Sequence, residues 1–241
     1  MRGTLLVARR DFSAYFNSLW GYVVMAFLLV VNGLLFNTVA MGRSARPSTQ
    51  VLEQFFYISF GITVIAAVLI TMRLLAEERQ QGTQALLDSC PLSDRQIVIG
   101  KYLSAMGFLS VIILASLYMP ALIFINGKVS LGHIVAGYGG LLLVGSATVA
   151  IGTFGSSVAR NQLEAAAVSG FIVIVMLVMW QLARITDAPF TDIFSNMSLY
   201  DKHFQPFQRG RINLSDVTFY ISVTFLFLTM SIRLIEPRRW R

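Results

Sequence analysis

Six long apolar segments constrain the fold of this chain more than any other feature of its sequence. They cover residues 19–40, 54–73, 97–125, 133–158, 165–183 and 217–235. Each is long enough to cross about 30 Å of hydrocarbon as an α-helix, and none alternates as barrel strands do. Charged residues make up 13% of the chain, against roughly 25% in soluble domains. We therefore predict an all-α, polytopic membrane protein with one transmembrane domain over residues 1–241.

The N-terminal residues 2–17 have the spacing of an amphipathic helix. One face carries Leu5, Ala8, Phe12, Tyr15 and Phe16. This pattern predicts a helix in the membrane interface, with Arg9 and Arg10 at the lipid headgroups. The alternative is a polar tail.

The distribution of positive charge predicts the orientation. The net charge is +7, but the Lys and Arg residues lie at the ends of the apolar segments, without the basic stripe of a nucleic-acid-binding helix. We therefore expect membrane lipids and no nucleic acid as partners. The loops on the side of both termini carry the larger share of the 19 Lys and Arg residues. The positive-inside rule then places both termini in the cytoplasm, across a bacterial inner membrane. It makes residues 77–101 cytoplasmic and residues 186–213 external.

The polar interval 77–101 contains ordered local signals. Glu77 and Glu78 continue the second apolar segment as helix. Gly82 permits a sharp turn, and Thr83 can cap a short helix that carries Leu86 and Leu87 on one side. Ser93 and Gln96 form a capping box that starts the third segment, and Lys101 is expected at the headgroups. Such a short helix suits docking to a partner; the alternative is a loop whose leucines cover the end of the bundle.

The fourth apolar segment, 133–158, is rich in small residues at helical spacing. Candidate packing positions are Gly140, Ser146, Ala150 and Gly152. Small residues let helix backbones approach closely, so this segment is predicted to lie centrally in the bundle.

Motifs for catalysis are missing from the sequence. No G-x-x-x-x-G-K-[ST] phosphate loop is present, so the chain is not expected to bind ATP by that route. His133 and His203 are distant in sequence and belong to no cluster with metal-ligand spacing. We predict that the chain is not an enzyme and holds no metal or cofactor of its own.

The interval 77–101 reads E-E-R-x-x-G-T-x-x-L-L-x-x-x-P-L-S-x-x-Q-I-V-x-G-K and resembles the cytoplasmic loop of permease subunits of the type-2 ABC exporter family. With six spans and an amphipathic N-terminal helix, the resemblance covers nearly the whole chain. Residues 198–204, Ser-Leu-Tyr-Asp-Lys-His-Phe, followed by Phe207, Arg209-Gly210, Ile212 and Asp216, are most similar to the gliding-motility permease subunit of the GldF type. Ala85 departs from the family pattern, which usually has Glu there.

The resemblance implies a coupling helix that sits in a cleft of a separate ABC ATPase subunit. The implied docking residues are Glu77, Glu78, Gly82, Thr83, Leu86, Leu87, Arg9 and Arg10. ATP and Mg would bind to that ATPase, and its closure would shift these helices. A second permease half, either a copy of this chain or a related subunit, would complete a dimer, and an external-domain subunit is a further candidate partner. The segment 186–213 would form re-entrant helices. The competing interpretation is a non-transporting membrane scaffold that anchors cytoplasmic and external partners.

Overall fold

The computed structural model describes residues 2–42, 47–83, 92–126, 129–186 and 190–235. The described residues are arranged in helices and turns without a strand. The helices are α1 (Arg2–Asn17), α2 (Leu19–Leu35, continued by a π-helical turn, Phe36–Met41), α3 (Ser48–Thr71), α4 (Ala76–Gln80), α5 (Asp94–Ala115), α6 (Tyr118–Asn126), α7 (Leu131–Val158), α8 (Gln162–Ile185), α9 (Phe190–Met197), α10 (Gln205–Gln208) and α11 (Leu214–Ile235).

Among the described residues, six helical stretches are long and apolar enough to cross a membrane. They are Leu19–Met41, Ser48–Gln80, Asp94–Ile125, Leu131–Val158, Gln162–Ile185 and Leu214–Ile235. The predicted all-α polytopic fold is therefore confirmed. The third stretch is broken between α5 and α6, at Ser116 and Leu117. Pro120 follows in the first turn of α6, where its missing N–H cannot bond to the Ser116 carbonyl.

Helix α7 lies at the centre of the bundle and packs against α3, α5, α8 and α11. Its small residues admit bulky neighbours. A Cβ atom on Gly140 would lie 2.6 Å from Phe207 Cβ, and one on Gly152 would lie 1.9 Å from Thr71 Oγ1. These contacts are possible only because glycine has no side chain. The glycines let neighbouring elements approach α7 closely, and α7 is therefore extensively buried.

Two further small residues of α7, Ala150 and Ser146, also lie at helix contacts. Ala150 is fully buried. The Ser146 hydroxyl lies 2.8 Å from Tyr102 Oη on α5 and 3.0 Å from Thr224 Oγ1 on α11. This chain of hydroxyl groups joins three helices, because each hydroxyl can both donate and accept.

Helix α10 and the end of the turn before it pack against α7, and helix α9 packs against α8. Gln208 Nε2 donates to the Glu53 carbonyl at 2.9 Å, and Tyr200 Oη donates to Gln208 Oε1 at 2.8 Å. Burial raises the pKa of the Tyr200 hydroxyl to about 12, so it stays protonated as a donor. The side chain of Leu199 is fully buried, which anchors the turn to the bundle.

Candidate functional site

Helix α1 follows α5 in the same chain direction for about four turns. Glycines in α5 provide the groove: a Cβ atom on Gly100 would lie 2.8 Å from Val7 Cβ, and one on Gly107 would lie 3.2 Å from the Phe12 ring. Further along, the rings of Tyr15 and Phe108 stack with centroids 4.6 Å apart. The groove therefore fixes α1 against the first turns of α5.

This contact adds Val7 to the face of α1 that packs against the protein. Val7 and Ala8 are buried, whereas Leu5, which the sequence places on the apolar face with Ala8, is 70% exposed. Arg9 and Arg10 are exposed beside Leu5. Val7 is buried because the glycines of α5 leave room for it. Helical periodicity alone does not predict that Val7 lies on the packed face.

Lys101 is the centre of an ionic cluster that joins α1, α4 and α5. Its side chain is only 4% exposed. Its ammonium group lies 3.1 Å from Asp11 Oδ2 on α1 and 2.8 Å from Glu78 Oε1 on α4. Arg10 Nε donates to the other Asp11 oxygen at 2.8 Å. A buried ammonium needs such partners because desolvation of an unpaired charge is costly. The expectation that Lys101 lies at the headgroups is wrong.

Glu77 is also engaged within the chain. Arg73 contacts both of its carboxylate oxygens, at 2.9 and 2.6 Å, one helical turn earlier. The Arg73 guanidinium group lies 5.5 Å from the centre of the Trp20 ring. The two glutamates that the resemblance assigns to docking therefore hold α4 in place within this subunit.

A second set of contacts joins α4 to the end of α7. The helix interruption between α3 and α4 leaves two backbone N–H groups, of Leu75 and Ala76, which donate to the Ser156 hydroxyl at 2.9 and 3.0 Å. Arg79 donates to the Ala159 carbonyl at 2.7 Å. Movement of α4 is thereby linked to α7 as well as to α5.

Replacing Ser156 with Ala is expected to lower the free energy of unfolding by about 1–3 kcal/mol, because two buried N–H groups lose their acceptor. Thermal unfolding of the purified protein in detergent measures this. Ser169→Ala is the matched control, since that buried hydroxyl donates to Ala165 within its own helix. Equal losses in the two variants would contradict a special role for Ser156.

The α4–α5 loop begins and ends with the predicted local structure. Gly82 has φ +71°, and the N–H groups of Gly82 and Thr83 bond back to the carbonyls of Arg79 and Glu78. This is a Schellman ending, in which glycine supplies the left-handed residue. The Ser93 and Gln96 capping box is present at the start of α5.

The loop residues between these two ends are not described. Residues 84–91, which include Ala85, Leu86 and Leu87, lie outside the described part of the chain. The predicted coupling helix therefore stays a prediction, as does the capping role of Thr83 within it.

A cavity of about 380 Å³ opens beside the ionic cluster, between α1, α2, α4 and α5. Its lining includes Tyr15, Trp20, Glu78 and Thr83. The oxygen Glu78 Oε2 is buried and makes no hydrogen bond to the described residues. Burial, and secondarily the nearby Asp11 carboxylate, raise the pKa of the Tyr15 hydroxyl. The ionic cluster and the cavity can hold charges and transmit movement between helices. In the described ranges, no group of three His, Cys, Asp or Glu residues could hold a metal ion.

Sequence reasoning missed the residues at the centre of this site. Asp11 had a usable signal, because it continues the stripe of Val7 and Tyr15 at four-residue spacing. An acidic group on a packed helical face predicts a buried cationic partner. Ser156 had no comparable signal, since serine is common in membrane helices.

Comparison with models of protein families gives a match over most of the chain. The model of the family described as ABC-2 family transporter protein matches residues 5–232. That range takes in most of α1, the first five apolar stretches in full and most of the sixth, Leu214–Ile235. A search of curated proteins finds no match to the chain.

Proposed function

Because the chain belongs to the ABC-2 family of transporter proteins, as a permease subunit of an ABC transporter, we propose that its α4–α5 end couples ATP hydrolysis in a separate ATPase subunit to movement of the bundle. ATP and Mg would bind to that subunit. The loop of residues 83–92 would contact it, with Leu86 and Leu87 as the apolar anchors and with Arg9 and Arg10 on α1 as a second contact.

The observation that carries this proposal is the burial of Lys101 between Asp11 and Glu78. Its ammonium group contacts carboxylates on two other elements. A push on the loop cannot move α4 alone without separating buried charges, which is costly in a medium of low dielectric. The cluster therefore converts a local displacement into a joint displacement of α1, α4 and α5.

The contacts of Ser156 provide the second route. They tie the start of α4 to α7, the most buried of the six stretches. Since α7 also contacts α8 and α11, displacement at the loop would reach the far side of the bundle.

The finer features of the proposal follow the resemblance and the charge pattern. We place both termini in the cytoplasm of a bacterial cell, across its inner membrane, and the segment 186–213 outside as a re-entrant element. The permease would pair with a second half, a copy or a relative, and could engage an external-domain subunit. The work would be export or, as in the gliding-motility permeases that residues 198–216 resemble, transmission of force.

The substitution Leu86→Glu tests the docking proposal. With the cognate ATPase co-expressed, we expect it to abolish co-purification of that ATPase and permease-dependent stimulation of its activity, because a carboxylate would be buried in an apolar cleft. Gln84→Glu adds the same charge to the same loop and is expected to leave both intact. If Leu86→Glu retains both, the coupling-helix assignment is wrong.

An ATPase variant that binds but does not hydrolyse ATP separates the transporter from the scaffold. A transporter or force-transmitting permease loses its cellular function with that partner. A scaffold keeps its function, since it needs only the assembled complex.

A further inference from the structure

The turn between α9 and α10 buries a histidine between two hydrogen-bond acceptors. The His203 side chain is 7% exposed. Its Nδ1 atom lies 2.9 Å from Asp216 Oδ1, in the first turn of α11, and its Nε2 atom lies 3.1 Å from the Asn196 carbonyl oxygen, near the end of α9. The imidazole ring therefore bridges three elements of the chain.

The number of protons on this ring follows from its partners. A backbone carbonyl only accepts hydrogen bonds, and so does an ionised carboxylate. A neutral imidazole has one N–H group, so it can satisfy one of these two partners. We infer that His203 is held as an imidazolium ion, and that the His203–Asp216 pair is a proton-binding site that fastens α9 to α11.

The surroundings favour the proton on His203 rather than on Asp216. Asn213 Nδ2 donates to the second carboxylate oxygen of Asp216 at 3.0 Å, and a carboxylate in the first turn of a helix is stabilised by the helix dipole. The Phe219 ring stacks on the imidazole with centroids 3.8 Å apart and an angle of 11°, an arrangement that favours a cation.

The other polar groups around the ring are also accounted for. From α11, the Tyr220 ring lies at 72° to the imidazole ring with centroids 6.3 Å apart, and its hydroxyl donates to the Leu199 carbonyl at 2.6 Å. In the turn, Asp201 and Lys202 precede the histidine, and Lys202 donates to the Asn196 side-chain oxygen at 2.5 Å. α9 presents the neutral Asn196.

Loss of the proton would weaken the fastening. One ring nitrogen would then face an oxygen acceptor without a hydrogen between them, and Asp216 would remain as a buried charge with a neutral neighbour. The α9 end would be released from α11. The proposal that His203 holds a proton rests on its contacts with Asp216 and Asn196. Its response to the pH outside the cell rests on the proposed orientation, in which residues 186–213 are external.

Nitrogen-15 NMR of the histidine side chains tests the protonation directly. The chain has two histidines, so the full-length protein in detergent gives two imidazole spin systems, which His133→Gln assigns. We expect both His203 nitrogens to be protonated at pH 7. A His203 spectrum of a neutral tautomer at that pH would overturn the proposal.

Hydrogen exchange of residues 190–213 tests the release, with Asp216→Asn as the matched variant. In that variant, the amide nitrogen of the new side chain can donate to a neutral His203 Nδ1 while the amide oxygen still accepts from Asn213, so every hydrogen bond survives without the extra proton. Raising the pH from 6 to 9 is expected to accelerate wild-type exchange by about tenfold beyond the intrinsic rate increase, the equivalent of one charge-assisted hydrogen bond.

The variant should show no such acceleration. Equal acceleration in both proteins, or none in the wild type, would overturn the proposed release. Both measurements are made without an ATPase, so their failure leaves the docking test at Leu86 unaffected, and failure of that test leaves the proton site unaffected.

Discussion

Replacing Lys101 with Met is expected to destabilise the subunit by about 1.5–3 kcal/mol, because the partly buried Asp11 and Glu78 carboxylates lose their hydrogen bonds to the ammonium group and keep only the exposed Arg10 as a cationic partner. Asp11 and Glu78 would face each other without the ammonium group that now lies 3.1 and 2.8 Å from them. Their repulsion would push α1 away from α4. We therefore also expect loss of permease-dependent ATPase stimulation, since the loop would no longer move together with α5.

Two further variants separate this effect from a change in net charge. Arg10→Met removes one positive charge from the same cluster, but the Arg10 side chain is 59% exposed. It should cost less than about 1 kcal/mol. The triple variant Lys101→Met, Asp11→Asn and Glu78→Gln removes the charges together and should recover most of the lost stability, because a buried ion pair contributes little beyond a neutral replacement.

Thermal unfolding in detergent and ATPase activity in reconstituted vesicles are the measurements. If the triple variant is stable and also restores stimulation, then packing rather than the ionic contact transmits the movement. If Lys101→Met unfolds at the wild-type temperature, the ammonium group is not buried as the structure shows.

Replacing Gly152 with Val is expected to disrupt the contact of α7 with α3, at a cost of about 3 kcal/mol, the upper part of the range for overpacking. The first atom of the valine side chain, its Cβ, would already lie 1.9 Å from Thr71 Oγ1 and 2.6 Å from Thr71 Cβ. Thr71 cannot turn away, because its own Cβ is part of the overlap. A lower unfolding temperature and a reduced yield of monodisperse protein are the expected results.

Gly139→Val is the matched control in the same helix. A Cβ atom on Gly139 has no neighbour within 4 Å, so we expect near wild-type stability. The variant Gly152→Ala alone should lose stability. Combining it with Thr71→Gly moves the small residue from α7 to α3 and should restore much of that stability. Equal stability of the Gly152 and Gly139 valine variants would contradict the close approach of α7 to α3.

The amino-acid sequence by itself determined the features that depend on neighbours along the chain. The apolar segments establish the six helical stretches, because the hydrocarbon thickness fixes their length. The Schellman turn at Gly82 and the capping box at Ser93 were predictable for the same reason: each is completed within a few residues. The family match over residues 5–232 agrees with the resemblance of the α4–α5 loop.

Only the tertiary structure decided which polar groups meet. Lys101 and Asp11 lie 90 residues apart in sequence, and Leu75 and Ser156 lie 81 apart. A lysine near the end of an apolar segment looks like a headgroup residue, and it is buried because two other helices bring carboxylates to it. His203 belongs to no cluster in the sequence, and only the fold brings Asp216 to one side of its ring and the Asn196 carbonyl to the other. Burial makes such pairings obligatory, and no local pattern specifies the partner.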